Sequence, residues 1–160
     1  MSHILLIDDD PDFSAALSAE LAIAGHRITC AAGCAEGLDV LTALSAGRRA
    51  VDAVLVDMFM PEADGIETIH ALREAGINVP VIAISGGCSR RPDKVLNWAR
   101  SLGADAAIAK PFEIERLITL VERARDAADA PPAAARLAAP DSRAARGPAP
   151  TYSAARLGPA

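Results

Sequence analysis

Short apolar runs and longer amphipathic stretches alternate five times over the first 126 residues. The runs are His3 to Ile7, Arg27 to Ala31, Ala53 to Val56, Val81 to Ile84 and Ala104 to Ala109. The first, third and fourth contain almost nothing but Ile, Leu, Val and Ala. An unbroken apolar run of that length predicts a strand buried on both faces, as in a parallel sheet. The stretches between them carry the helical period. Pro11 suits the first turn of a helix whose Phe13, Ala16, Leu17, Leu21 and Ala24 form an apolar face and which Gly25 stops. Further helices are predicted over Cys34 to Ala46, ending near Gly47, over Gly65 to Ala75, stopped by Gly76, and over Pro92 to Leu102, stopped by Gly103. The fifth runs from Glu113 to about Asp126, with Ile114, Leu117, Ile118 and Val121 at spacings of three and four. Strands separated by helices of this length imply right-handed βαβ units. The predicted fold is α/β: a single domain with a doubly wound, five-stranded parallel sheet covered by helices on both faces.

After Asp126 the periodicity fails. Residues 127–160 hold fourteen Ala and six Pro among thirty-four positions, too many prolines for a long helix and too few large apolar residues for a core. The expected organisation is a domain over residues 1–126 and a disordered Ala/Pro/Arg-rich tail over residues 127–160.

Charge divides the chain in the same way. The tail carries four Arg and two Asp, whereas the first 126 residues carry twelve basic and nineteen acidic side chains. An acidic body lacks the clustered cations that neutralise nucleic-acid phosphates, so no nucleic-acid partner is expected. No segment approaches the roughly 18 apolar residues of a membrane span, and the start is not that of a signal peptide, so a cytoplasmic protein without membrane insertion is expected. Cys30, Cys34 and Cys88 fit neither a disulfide framework nor a zinc site and are read as reduced thiols.

The chemistry gathers where strands end. Asp8-Asp9-Asp10-Pro11-Asp12 follows the first strand, Asp57-Met58-Phe59-Met60-Pro61 the third, Ser85-Gly86-Gly87 the fourth and Lys110-Pro111-Phe112 the fifth. In an open parallel sheet the carboxyl ends of the strands share one crevice, so these groups should converge. Crowded carboxylates raise one another's pKa unless a cation joins them. Mg²⁺ prefers oxygen ligands and is commonly held by one or two carboxylates together with a phosphate oxygen. Asp9 and Asp57 suit direct ligation, Asp8 ligation through water, and the backbone carbonyl of Phe59 is a further candidate ligand. With its charge screened, Asp57 is a competent nucleophile for phosphoryl transfer. Lys110 offers an ammonium and Ser85 a hydroxyl to the product, and Gly86 and Gly87 leave backbone N–H groups unobstructed.

Over residues 3 to about 125 the chain resembles the receiver domain of bacterial two-component response regulators, including the stand-alone chemotaxis type. The resemblance is carried by Leu6-Ile7-Asp8-Asp9-Asp10-Pro11, by Val56-Asp57-Met58-Phe59-Met60-Pro61 with Asp64-Gly65, by Pro80-Val81-Ile82-Ala83-Ile84-Ser85-Gly86, and by Gly103-Ala104-Asp105 through Lys110-Pro111-Phe112. It implies a flavodoxin-like fold, Asp57 as phosphoacceptor, Asp8 and Asp9 as metal-site acids, Ser85 as the switching hydroxyl and Lys110 as the phosphate-sensing cation. Two positions depart from the pattern. Ala107 stands three residues before the lysine, where the family usually has an aromatic residue, so a hydroxyl-to-aromatic switch is not expected. Phe59 is bulkier than many residues at its place, which points to obstruction of the hydrolytic water. His70 has no second ligand at helical spacing and reads as a surface or packing residue, Trp98 as a packing or partner-contact residue, and nothing in the sequence gives Cys88 a redox role.

The function this implies is a phosphorylation-dependent switch. A histidine kinase or histidine phosphotransfer protein would supply the phosphoryl group, and a downstream protein target would read it through protein contacts or the tail. A phosphorylation-dependent dimer is compatible with that reading. One rival is an Mg²⁺-dependent phosphohydrolase with an aspartyl nucleophile, which would need an acid two residues beyond Asp57, where Phe59 stands. The other is an interaction module that is never phosphorylated.

Overall fold

The expected strands pair into one parallel five-stranded sheet of order β2-β1-β3-β4-β5. The computed structural model describes residues 1–46, 51–60, 65–86 and 92–129, within a compact unit of Met1–Ala130. The strands are β1 (His3–Ile7), β2 (Arg27–Ala31), β3 (Ala53–Asp57), β4 (Val81–Ser85) and β5 (Ala106–Ala109). The helices are α1 (Pro11–Ile23), α2 (Cys34–Ala46), α3 (Gly65–Glu74), α4 (Pro92–Ser101) and α5 (Ile114–Asp129). The expected tail from residue 130 onward, together with Gly47, Gly87 and Cys88, lies outside the described residues.

Because successive side chains of a strand point to opposite faces, the apolar runs feed two separate cores. Leu5, Ile7, Val54, Val56, Val81, Ala83 and Ala107 face one layer, filled by Leu41 of α2, Ile69 and Leu72 of α3 and Ala99 of α4. Ile4, Leu6, Leu55, Ile82, Ile84 and Ile108 face the other, filled by Leu17 and Leu21 of α1 and by Leu117 and Val121 of α5. Every residue of β1, β3 and β4 is buried, as continuous apolar runs demand. Edge strand β2 is buried only at Ala31, and its sequence Arg-Ile-Thr-Cys-Ala is correspondingly more polar.

Three expectations need adjustment. The strand read from Ala104 begins at Ala106, because Ala104 N–H is taken by Ala99 O in the turn that closes α4. Helix α1 buries Ser14, Leu17 and Leu21, while Ala16 and Ala24 are exposed, so the sheet-facing stripe is rotated from the one read from alanines. Helix α5 continues to Asp129, as the strong helix formers Ala127 and Ala128 permit. The glycine stops hold: Gly25, Gly76 and Gly103 have φ of 86°, 72° and 109°, the left-handed region that ends helices. Cys30 and Cys34 are free thiols. No helix among the described residues is long and apolar enough to cross a membrane.

At the amino-terminal edge of the sheet, Arg73 at the end of α3 ties several segments together. Its guanidinium donates to Ile77 O at 2.8 Å, Val79 O at 3.0 Å and Gly103 O at 2.9 Å, and reaches Asp105 Oδ2 at 2.9 Å. Asp105 Oδ2 also accepts Val81 N–H at 2.8 Å. The opposite edge is thereby left for chemistry.

Candidate functional site

The strand order reverses direction between β1 and β3, and ligands of such sheets bind at the carboxyl edge beside that reversal. The acids lie there. Asp57 is the last residue of β3, in register with Ile84 of β4. Asp8 continues β1 by one residue, its N–H donating to Ala31 O at 3.1 Å. One carboxylate oxygen from each of Asp8, Asp9 and Asp57 lies within 4.8 Å of the others. Asp8 and Asp57 are buried and Asp9 is exposed, so the cluster opens to solvent on one side.

Local structure fixes each group. Asp8 Oδ1 accepts the N–H of Asp10 at 2.9 Å, which turns the chain sharply off the strand. Asp10 is the N-cap of α1, accepting Asp12 N–H at 3.0 Å and Phe13 N–H at 3.1 Å, the standard way to satisfy orphan donors at a helix start. Lys110 leaves β5 with its N–H bonded to Ser85 O at 2.8 Å, so both residues lie at the same edge. The Lys110 ammonium reaches across the sheet to Asp8 Oδ2 at 3.1 Å and to Asp57 Oδ1 at 3.7 Å.

Electrostatically, Asp57 is the strained member. Burial pushes its carboxyl above the usual carboxylate range; Lys110 opposes that, Asp8 adds to it, the Met58 backbone hydrogen bond opposes it and Asp9 adds to it. Asp57 Oδ1 and Ser85 Oγ are buried with no hydrogen-bond partner among the described residues. A buried acceptor beside two further carboxylates suits a hard cation or an incoming group rich in oxygen and donors.

Asp8, Asp9, Asp57 and Lys110 come together. Ser85 is at the same edge, one residue beyond the Asp57–Ile84 pair. Phe59 follows Asp57 by two residues, and its side chain is 47% exposed. Ala107 is buried in the middle of β5, opposite Ala83. His70 lies on the surface with Nδ1 3.4 Å from Glu74 Oε2, and Trp98 is 54% exposed on α4. Two residues gain a role that the sequence did not signal. Gly65 opens α3 against the end of β3: a Cβ there would collide with the Asp57 carbonyl oxygen and sit 2.7 Å from Met58 Cα. A glycine at the first position of a helix, where better helix formers are available, was the available hint. Phe13, read as an apolar-face residue, lies under the ammonium of Lys110 at 3.4 Å from ring centroid to Nζ.

The site lies within a segment that is similar to known proteins. The chain matches the response regulator receiver domain over residues 4–122. It is 33% identical over 122 residues to the uncharacterized transcriptional regulatory protein YkoG of Bacillus subtilis, covering 76% of this chain and 50% of that protein. It is 33% identical over 121 residues to the transcriptional regulatory protein CpxR of Escherichia coli, covering 76% of this chain and 48% of that protein. The Francisella response regulator 1452 receiver domain has the same fold, with a TM-score of 0.65 at 28% identity, covering 79% of this chain and 98% of that one. The matched segment thus spans about half the length of these two sequence relatives. The matched residues include every acid, the hydroxyl and the lysine at the carboxyl edge of the sheet, and the chain belongs to the response regulator receiver domain family.

Proposed function

We propose that this protein is a phosphorylation-dependent switch of a two-component phosphorelay, with Asp57 as phosphoacceptor and a histidine kinase or histidine phosphotransfer protein as donor. The observation that supports this most is the convergence of a buried, destabilised Asp57 carboxylate with two further acids and one ammonium.

The donor set fits Mg²⁺. Three carboxylates lie close enough to share one ion, and Asp57 Oδ1 is a buried acceptor without a hydrogen-bond partner among the described residues. Asp8, Asp9 and Asp57 would hold the ion, with the Phe59 carbonyl as a further ligand. When bound, it would screen the repulsion between the Asp57 carboxylate and the phosphoryl oxygens.

The remaining chemistry falls to the chain. An Asp57 carboxylate oxygen forms the new O–P bond while the donor's P–N bond breaks, in a phosphohistidine, or its P–O bond, in acetyl phosphate. The bonding electron pair leaves with the donor: the histidine ring nitrogen takes up a proton from solvent to give neutral imidazole, and acetate departs as the anion. The acyl phosphate adds negative charge beside Asp8, and the Lys110 ammonium is placed to offset it. Ser85 Oγ, buried and unpartnered among the described residues, can donate to a phosphoryl oxygen at the end of β4. Because Lys110 N–H is bonded to Ser85 O, movement of either residue reaches the other, and the α4-β5 side of the sheet is where we place the signal's exit to a target protein. The absence of an acid at Phe59 favours this switch over a phosphohydrolase.

Incubation with Mg²⁺ and acetyl phosphate followed by intact-mass measurement tests the reading. One added phosphoryl group is expected, abolished by Asp57→Asn and by chelation. Undiminished labelling of Asp57→Asn would overturn the assignment.

A further inference from the structure

Phe13 has no part in the chemistry above, yet its ring packs against the ammonium of the site lysine. The contacts form a closed circuit. Asp8 Oδ1 accepts Asp10 N–H at 2.9 Å, and Asp10 Oδ1 accepts Phe13 N–H at 3.1 Å. The Phe13 ring lies 3.4 Å from Lys110 Nζ, and Lys110 Nζ returns to Asp8 Oδ2 at 3.1 Å. Phe112, two residues beyond the lysine, meets the Phe13 ring edge-on, with centroids 6.5 Å apart and planes at 87°. The ring is therefore oriented from both sides: its backbone by the helix cap, its plane by a second aromatic.

We propose that Phe13 is a positioning residue for phosphoryl transfer, acting through Lys110 and touching neither the phosphoryl group nor the metal. The role rests on the reading of Asp57 and Lys110 given above. A lysine ammonium is a compact, strongly hydrated charge on a flexible stem, and left alone it would sample many positions at the pocket mouth. A ring face attracts a cation through its quadrupole, more strongly as water is excluded. Asp8 also holds the ammonium, but any cation bound by its carboxylate competes for that same group. The ring does not compete with the ion. It is the contact that keeps Lys110 in place when the acids are occupied, so that the ammonium meets the incoming charge without first being reorganised. Leucine would fill similar space and retain apolar packing, but it has no ring face. Tyrosine would retain the face.

The experiment compares the full chain with its Phe13→Leu and Phe13→Tyr variants in three measurements. Intact-mass time courses with acetyl phosphate and Mg²⁺ give the labelling rate, thermal-shift titration gives the affinity for beryllofluoride, and lysine side-chain NMR of the metal-free protein reads the ring-current shift of the Lys110 Cε protons. Phe13→Leu is expected to lose about fivefold in labelling rate and in beryllofluoride affinity, and to lose the upfield Lys110 signal. Phe13→Tyr should stay within about twofold of the unsubstituted chain and keep the signal. Unchanged labelling and affinity in Phe13→Leu would overturn the proposal, as would equal impairment of both variants, which would mark the position as packing alone. If the unsubstituted chain failed to label, the phosphoacceptor reading itself would fall and the positioning role with it. The NMR comparison, which needs no phosphodonor, would then still report whether the ring–lysine contact exists.

Discussion

Lys110 Nζ lies nearer to Asp8 Oδ2, at 3.1 Å, than to Asp57 Oδ1, at 3.7 Å. The ammonium thus engages the proposed metal-site acid and gives the proposed nucleophile no direct hydrogen bond of its own. Any cation entering the cluster competes with Lys110 for Asp8 and frees the ammonium for Asp57 and what is attached to it.

Lys110→Ala should therefore separate two activities. Loss of a charge-assisted hydrogen bond costs about 1.5–3 kcal/mol, so beryllofluoride affinity should fall about tenfold or more. Affinity for Mg²⁺ should be unchanged or higher, because a competing cation has been removed from Asp8. Calorimetric titration with Mg²⁺ and thermal-shift titration with beryllofluoride read the two separately. A tenfold weaker Mg²⁺ affinity in this variant would contradict the competition.

The second prediction follows from the buried charge at Asp57. Its pKa is raised, chiefly by burial. A raised carboxyl favours the folded state fully only below the unfolded-state pKa, and that contribution is lost as pH rises through the folded-state value. At neutral pH the ionised carboxylate therefore lowers stability. Asp57→Asn, neutral and of equal size, should raise the metal-free melting temperature at neutral pH by a few degrees, about 1 kcal/mol. The gain should shrink as the pH falls through the folded-state value toward the ordinary Asp value of about 3.9. Saturating Mg²⁺ should narrow it too, since an ion that binds the native wild-type site stabilises it by mass action. Melting curves across pH, with and without Mg²⁺, measure both trends; a less stable Asp57→Asn protein in chelator would contradict the first.

Gly65→Ala tests the seam between α3 and β3. The added Cβ meets backbone, the Asp57 carbonyl oxygen and Met58 Cα at 2.7 Å, which cannot swing aside as a side chain can. A loss of about 2–3 kcal/mol is expected, together with slower labelling because the backbone of Asp57 must shift. Denaturant unfolding and intact-mass time courses check the two parts. A variant of full stability and full labelling rate would show that the helix can retreat freely.

Arg73 makes a prediction far from the chemistry. Its ion pair with Asp105 is partly exposed on both sides and contributes little by itself. The carbonyls of Ile77, Val79 and Gly103 that it serves are another matter, since Arg73→Ala leaves several acceptors unpaired at once. About 2 kcal/mol of destabilisation is expected from Arg73→Ala. Arg73→Lys should recover less than half, because an ammonium cannot reproduce the planar fork. Chemical denaturation of the variants gives the comparison, and full recovery by lysine would assign the effect to charge.

Much of this protein is determined locally and is therefore legible in its sequence. Burial on both faces forces the runs Ile4-Leu5-Leu6-Ile7, Ala53-Val54-Leu55-Val56 and Val81-Ile82-Ala83-Ile84 to be apolar without interruption. Helix ends need a left-handed residue, and Gly25, Gly76 and Gly103 supply it. Acids, hydroxyl and lysine each end a strand or lie within two residues of its end, so once the strands are parallel their arrival at one edge requires no further information. Tertiary structure decided what depends on residues distant in sequence. That α1 buries Ser14, Leu17 and Leu21 and leaves its alanines exposed was settled by packing, because a small side chain carries little burial energy to set the helix's rotation. That Lys110 turns to Asp8, across an |i−j| of 102, and that Phe13 waits beneath it, are outcomes of how α1 and the end of β5 meet. So are the glycine at 65 and the Arg73–Asp105 tie. Each is a contact between segments whose own local preferences are satisfied without it, and only the assembled sheet with its helices docked brings the partners within reach.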